Sequence, residues 1–154
     1  MKKFDIFLEV ASRLNKSLSV KPILYGSLGL RMVLKTNIKI NDIDILIPRK
    51  FLDSEWRNLK KIMKEMKFKL KDLKEHEFIR NKEIVALGSD KALRDVCLAP
   101  DDLNETAVNG VIFRELTAQQ YLKVYRYTLH DGYRLAKHSD RKKIHLLEKY
   151  LSNK

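Results

Sequence analysis

Cysteine is almost absent from this 154-residue sequence, which has a single one at Cys97. One thiol cannot form an internal disulfide, and no group of cysteines and histidines has the spacing of a zinc site. Long apolar runs are also missing, so no segment has the length needed to cross a bilayer. The sequence therefore predicts a fold without disulfides, without structural zinc and without a membrane partner.

We also expect no secretory signal peptide. The chain begins Met1-Lys2-Lys3-Phe4, but Asp5 and Glu9 interrupt the apolar segment that a signal peptide requires. The pattern from Phe4 to Leu14 predicts an amphipathic helix instead, with its apolar residues on one stripe. We therefore expect the protein to be cytoplasmic.

Linker-like segments rich in proline, glycine or serine are absent, as are internal repeats. With 44% hydrophobic and 34% charged residues, a chain of this length can bury one core of its own. We therefore expect a single domain over residues 1–154. Its core is expected over about residues 1–116, with C-terminal helices over about 117–152.

Acidic residues are scarce relative to basic ones. Twenty Asp and Glu stand against thirty-two Lys and Arg, which leaves a formal net charge of +12. Such an excess predicts polyanionic partners, namely a nucleoside triphosphate, a nucleic acid or an acidic protein. Surface lysines also keep small domains in solution, so the charge alone does not choose among these partners.

Local patterns predict alternating helices and strands. Helices are predicted over residues 4–14, 28–34, 51–66, from Thr117 through Tyr125, and over about 140–151. Strands are predicted over residues 22–25, 42–47, 68–80, 83–87, 93–98 and 111–113, with turns at 81–82, 88–90 and 109–110. The fold class is therefore α/β (α+β), a mixed sheet flanked by helices.

The strongest local signal is Tyr25-Gly26-Ser27, followed by Asp42-Ile43-Asp44-Ile45. Gly26 ends a short strand where the chain turns and leaves backbone N–H groups accessible. Strand alternation places Asp42 and Asp44 on one face, where they repel each other unless a cation lies between them. Mg²⁺ or Mn²⁺ fits, because such hard ions take one or two carboxylates completed by phosphate oxygens. The alternative is a strand end with two solvated aspartates.

This order of a Gly-Ser turn, a short helix and an acid-hydrophobic-acid strand resembles the nucleotidyltransferase superfamily, especially its small bacterial antibiotic-modifying and toxin-antitoxin-type branch. The resemblance rests on Gly26-Ser27, the run from Leu28 to Leu34, Thr36 and Asp42-Ile43-Asp44. The interval from Ser27 to Asp42 is slightly longer than is usual in that family. The resemblance implies a nucleotidyltransferase-like mixed β-sheet with a short C-terminal helical extension.

The activity implied by the resemblance is Mg²⁺-dependent (or Mn²⁺-dependent) transfer of a nucleoside monophosphate from an NTP to a hydroxyl. That hydroxyl would belong to a small molecule, a protein or an RNA. This chemistry depends on positioning and charge neutralisation, which is why it uses two or three convergent carboxylates. The alternative is a catalytically inactive protein of the same fold that binds nucleic acid or a protein partner through its basic surface.

Site residues follow from the same resemblance. Asp42 and Asp44 would bind the metal, and Gly26 and Ser27 would contact phosphates at the N-terminus of the following helix. In related proteins a third carboxylate lies on a later strand beside the Asp-x-Asp strand, and Asp95 is the best candidate for both a catalytic and a metal role. Glu77 and Glu83 are alternatives. Asp95 could also be an exposed aspartate that pairs with Arg94 or Lys91.

The tail from Lys137 to Ile144 is similar to a C-terminal helix of these proteins that carries Lys-Asp and, three residues later, a second acid. Lys143 stands where that second acid would be. Lys137 and Lys143, together with Lys142, could face phosphates, or they could form a solvated basic helix face. We expect the basic excess to be concentrated around the mouth of the cleft between Gly26 and Asp44.

Tyrosines recur in the same region. Tyr121, Tyr125, Tyr127 and Tyr133 could stack on a base, although their helical spacing favours core packing for most of them.

Overall fold

The computed structural model describes residues 2–129 and 139–153. Its centre is a seven-stranded mixed sheet of order β3-β4-β5-β2-β1-β7-β6. The strands are β1 (Ile23–Tyr25), β2 (Asp42–Ile47), β3 (Lys69–Asp72), β4 (Glu77–Arg80), β5 (Glu83–Ser89), β6 (Asn104–Val108) and β7 (Val111–Glu115). Strand β2 pairs antiparallel with β1 and parallel with β5, so it lies at the middle of the sheet.

Helices cover both faces of this sheet. They are α1 (Lys2–Leu18), α2 (Gly26–Leu34), α3 (Trp56–Glu65), α4 (Ala118–Thr128) and α5 (Ser139–Ser152). Three short 3₁₀ helices span Arg49–Leu52, Asp90–Val96 and Pro100–Asp102. The predicted class, a mixed sheet flanked by helices, is confirmed.

Two hydrophobic cores hold the layers together. On one face, α1 and α3 pack against residues such as Ile43 and Ile45 of β2. On the other face, α2, α4 and α5 pack against residues such as Ile23 of β1 and Leu46 of β2. Because alternate residues of a strand face opposite sides, Asp42 and Asp44 lie on the same side as Leu46.

Two sequence signals near the helical end of the chain are confirmed. Asn109-Gly110 forms the turn of the hairpin between β6 and β7, with both residues at positive φ. Thr117 caps α4: its side chain accepts from the Gln120 N–H (3.2 Å), and the Gln120 side chain accepts from the Thr117 N–H (2.9 Å). This reciprocal pair is a capping box.

The predicted strand over residues 93–98 is wrong. The chain forms the 3₁₀ helix Asp90–Val96 there, begun by the Ser89 hydroxyl, which accepts from the Lys91 N–H (3.1 Å). Leu93 and Val96 are both buried and three residues apart, a spacing that puts two side chains on one side of a 3₁₀ helix.

Two other predictions change in detail, and one strand was missed. The strand predicted over 68–80 is a hairpin of β3 and β4, because the Asp72 carboxylate accepts from the Glu75 N–H (3.1 Å) and forms a turn. The helix predicted over 51–66 is divided by Asp53, whose backbone is not helical, and α3 begins at Trp56. Strand β6 was not predicted.

No helix within the described ranges 2–129 and 139–153 is long and apolar enough to cross a membrane.

Candidate functional site

The two aspartates of β2 face a cavity of about 540 Å³. Asp42 and Asp44 are half-buried on the cleft side of the strand, while Ile43 and Ile45 between and beyond them are fully buried on the other side. The alternation of the strand therefore presents two carboxylates to one space, as the sequence pattern predicts.

Gly26 lies directly against Asp44. Tyr25 is paired with Asp44 across the antiparallel strands, and the next residue, Gly26, has a φ of 64°. A Cβ atom at Gly26 would lie 2.2 Å from Asp44 Oδ2. A side chain at this position would be strained by the left-handed backbone and would displace the Asp44 carboxylate, so glycine is strongly favoured.

The same glycine begins helix α2, and both Gly26 and Ser27 line the cavity. The first N–H groups of a helix have no partner within the helix, and its N-terminus carries a partial positive charge. This end of α2 is therefore suited to bind an anionic group, such as a phosphate, beside Asp42 and Asp44.

Helix α2 packs against Tyr121, a buried tyrosine of α4. A Cβ atom at Gly29 would lie 2.0 Å from the Tyr121 Oη, and the Tyr121 hydroxyl is 3.4 Å from the Leu24 carbonyl oxygen, to which it donates. Burial raises the pKa of Tyr121 well above its usual value, so the hydroxyl stays protonated and acts as a donor. Gly29 thus allows α2 to approach α4 closely.

Tyrosines form one wall of the cavity. The rings of Tyr25, Tyr121 and Tyr125 stack in series, with centroid separations of 6.3 Å and 6.0 Å. Tyr25, Tyr125 and the exposed Tyr127 line the cavity. Core packing, expected for most of the run, describes Tyr121 and Tyr125, while Tyr125 and Tyr127 also line the cavity, where the alternative of stacking on a base would place them. Tyr133 lies outside the described residues.

The third carboxylate is not on the neighbouring strand. Beside β2, strand β5 places Ile84 and Ala86 in register with Asp42 and Asp44, so no acid of β5 faces the cleft. Asp95 does line the cavity, but from the exposed side of the 3₁₀ helix that follows β5. The expected location of Asp95 on an adjacent strand is wrong, because that segment is helical.

The alternatives Glu77 and Glu83 do not line the cavity. Glu83 lies on the opposite face of the sheet and pairs with Lys3 of α1 (2.5 Å). Glu77, on β4, pairs with Lys71 (3.3 Å). Glu75, in the turn between β3 and β4, does line the cavity. Sequence reasoning missed it, because only the pairing of β3 and β4 brings this turn to the cleft.

The donor set fits a metal that is completed by substrate. Across residues 2–129 and 139–153, no three His, Cys, Asp or Glu side chains come together as metal ligands. Two carboxylates on one strand face are nevertheless the set with which proteins bind Mg²⁺ when phosphate oxygens and water supply the remaining positions. Asp42 and Asp44 are the residues that would hold the ion.

Two of the three basic residues named in the tail, Lys142 and Lys143, lie within the described residues. Lys143 lines the cavity, and its Nζ lies 5.1 Å from the centroid of the Tyr125 ring. Lys142 is exposed, and Lys137 lies outside the described residues.

The described cavity lining is acidic. It contains one lysine, Lys143, and four carboxylates: Asp42, Asp44, Glu75 and Asp95. The expected concentration of basic charge at the cleft therefore does not appear in this lining. A set of carboxylates attracts cations.

Comparison with known proteins identifies a relative by sequence and two solved structures that share the fold. No family model matches the chain. It is 38% identical over 158 residues to the uncharacterized protein YnaI of Bacillus subtilis (strain 168), an alignment that covers 99% of this chain and 100% of YnaI.

Two solved structures of ANT(2″)-Ia, an aminoglycoside nucleotidyltransferase, share the fold. The crystal structure in complex with adenylyl-2″-tobramycin has a TM-score of 0.61 at 9% identity and covers 98% of this chain and 90% of its own. The solution structure of the same antibiotic-resistance factor has a TM-score of 0.55 at 14% identity and covers 99% and 94%. This chain therefore has the same fold as ANT(2″)-Ia.

The contact between Gly29 and Tyr121 can be tested by a double-mutant cycle. Gly29→Ala should destabilise the protein by about 1–3 kcal/mol, because the added methyl group overlaps the Tyr121 hydroxyl. Tyr121→Phe removes that hydroxyl, so the double variant should recover at least about 0.5 kcal/mol relative to the sum of the single changes. Chemical denaturation measures each free energy of unfolding. Strictly additive losses would contradict the contact.

Proposed function

We propose that this chain, which belongs to the same family as the uncharacterized protein YnaI of Bacillus subtilis, is a nucleotidyltransferase, because it shares the fold of ANT(2″)-Ia. In this proposal it transfers a nucleoside monophosphate from a nucleoside triphosphate to a hydroxyl of an acceptor, with Mg²⁺ or Mn²⁺. The acceptor is a small molecule, a protein or an RNA. The structural neighbour ANT(2″)-Ia was solved with adenylyl-2″-tobramycin, an adenylylated small molecule.

One observation carries the proposal. The Asp42 and Asp44 carboxylates face the same cavity as the first residues of α2, with Gly26 in contact with Asp44. Carboxylates that can hold a divalent cation thus lie beside backbone donors that can hold a phosphate. A metal-bound triphosphate is a ligand that needs both groups at once.

Each part of the lining then has a role. Asp42 and Asp44 would hold the metal, which neutralises charge on the phosphates when bound. The N–H groups at Gly26 and Ser27 would bind phosphate oxygens, and the wall of Tyr125 and Tyr127 would contact the base.

The acceptor hydroxyl needs a group that takes its proton. Asp95 lines the same cavity from a different element than Asp42 and Asp44, so it can serve as this general base while the other two hold the metal. Glu75, which enters the lining from the hairpin turn, is the second carboxylate in a position to do so.

A second candidate function is nucleotide binding without transfer. It is favoured by the cleft face of β5, where Ile84 and Ala86 stand in register with the two aspartates and provide no third metal ligand. Such a protein would retain affinity for the nucleotide through Asp42, Asp44 and the α2 terminus but would form no product.

The metal assignment predicts that Asp44→Asn weakens binding of Mn²⁺-ATP at least about tenfold, because removing one of two anionic ligands lowers the affinity for a divalent ion. Isothermal titration calorimetry of the full chain measures this affinity. Asp53→Asn is the matched control, since Asp53 is an exposed aspartate paired with Arg49 outside the cavity. Equal affinities of the Asp44 variant and the unchanged protein would reject the assignment.

The transfer step is tested separately with α-labelled NTP and three acceptor pools: total RNA, protein and hydroxylated small molecules. We expect label to appear in one pool. Asp95→Asn should lower the rate of labelling of that pool by a factor of roughly 10² or more, the usual loss on removing a general base. Nucleotide affinity should be unchanged in that variant. Absence of label in all three pools, with nucleotide affinity retained, would favour the binding function instead.

A further inference from the structure

Helix α3 carries a row of cations on its outer face. The basic stripe consists of Arg57, Lys60, Lys61, Lys64 and Lys67, all exposed. The first four follow one another at intervals of three, one and three residues, so they occupy one side of the helix. Lys67 continues the row just beyond the helix end, where its N–H donates to the Lys64 carbonyl (2.9 Å).

The opposite side of α3 is buried. Leu59, Ile62 and Met63 are buried in the core that also contains Ile43 and Ile45. The stripe therefore lies on the far side of the sheet from the Asp42 and Asp44 cavity, and it is not part of the site described above.

No carboxylate within the described residues forms an ion pair with the basic stripe, whereas nearby cations are paired. Arg13 pairs with Glu65 at 2.7 Å, and Lys50 pairs with Glu55 at 3.6 Å. Like charges four residues apart on a helix destabilise it, and the stripe contains two such pairs, 57–61 and 60–64. This repulsion would be relieved by an anionic partner with several charges in a row.

The composition of the stripe favours one class of partner. Protein–protein interfaces are depleted in lysine, whereas protein–nucleic acid interfaces are polar and strongly positive. An interfacial membrane helix inserts its apolar face, but that face of α3 is buried in the core. Successive turns of the helix place the cations at intervals of about 5.4 Å along a ridge, which suits a chain of phosphates.

We propose that the basic stripe of α3 binds the phosphate backbone of a nucleic acid. This binding goes beyond the proposed nucleotidyl transfer and does not require it. It is independent of base sequence, because lysine contacts to phosphate carry no sequence information.

The test is fluorescence anisotropy of the full chain with labelled single-stranded RNA, single-stranded DNA and duplex DNA over a range of salt. The variant is Lys60→Gln/Lys61→Gln/Lys64→Gln, in which glutamine keeps the helix propensity of lysine. The control is Lys35→Gln/Lys39→Gln/Lys123→Gln, which removes the same charge from exposed lysines elsewhere.

The stripe variant should bind nucleic acid at least about tenfold more weakly at ~0.1 M salt. The negative slope of log K against log salt should become shallower by about two. The control should retain its slope, and Mn²⁺-ATP binding should be unchanged in both variants. Equal losses in the two variants would assign the affinity to net charge and overturn the proposal. Binding to vesicles containing phosphatidylserine but to none of the nucleic acids would overturn it in favour of a lipid surface.

Discussion

The contact between Gly26 and Asp44 is the constraint on which the rest of the site depends. A Cβ atom at Gly26 would lie 2.2 Å from the Asp44 carboxylate, and the backbone there has a φ of 64°. Glycine meets both conditions without strain. Strand β1 can therefore end beside β2 and turn directly into α2, so that the helix N-terminus and the two aspartates open into the same cavity.

Packing of α4 against α2 supports this arrangement. Tyr121 of α4 fills the space that Gly29 leaves open on α2, and its neighbours continue into the cavity wall as Tyr125 and Tyr127. Lys143 of α5 lines the cavity as well. The parts of the chain before and after residue 116 thus share one cavity, and the C-terminal helices contribute side chains to its lining.

The features of the fold and the candidate site that depend on neighbouring residues could be predicted from the sequence, whereas those that depend on long-range strand pairing could not. Alternation in β2, the turn at Asn109-Gly110 and the cap at Thr117 depend on neighbouring residues, and the structure has all three. Which residue supplies a third carboxylate near Asp42 and Asp44, in contrast, depends on which strands lie side by side. The parallel pairing of β5 with β2 puts Ala86 beside Asp44, and no local pattern specifies this pairing. Glu75 reaches the cavity for the same long-range reason.

The claim that Asp42 and Asp44 bind a metal–nucleotide complex is tested most directly by paramagnetic broadening of backbone amide signals during titration with Mn²⁺ and ATP. The account predicts that the amides of Gly26 and Ser27, together with those of Asp42 to Asp44, broaden first. Signals on the far side of the sheet, such as those of α3, should broaden last. Broadening centred on another acidic region, such as Asp101 and Asp102, with Gly26 and Asp44 unaffected, would contradict it.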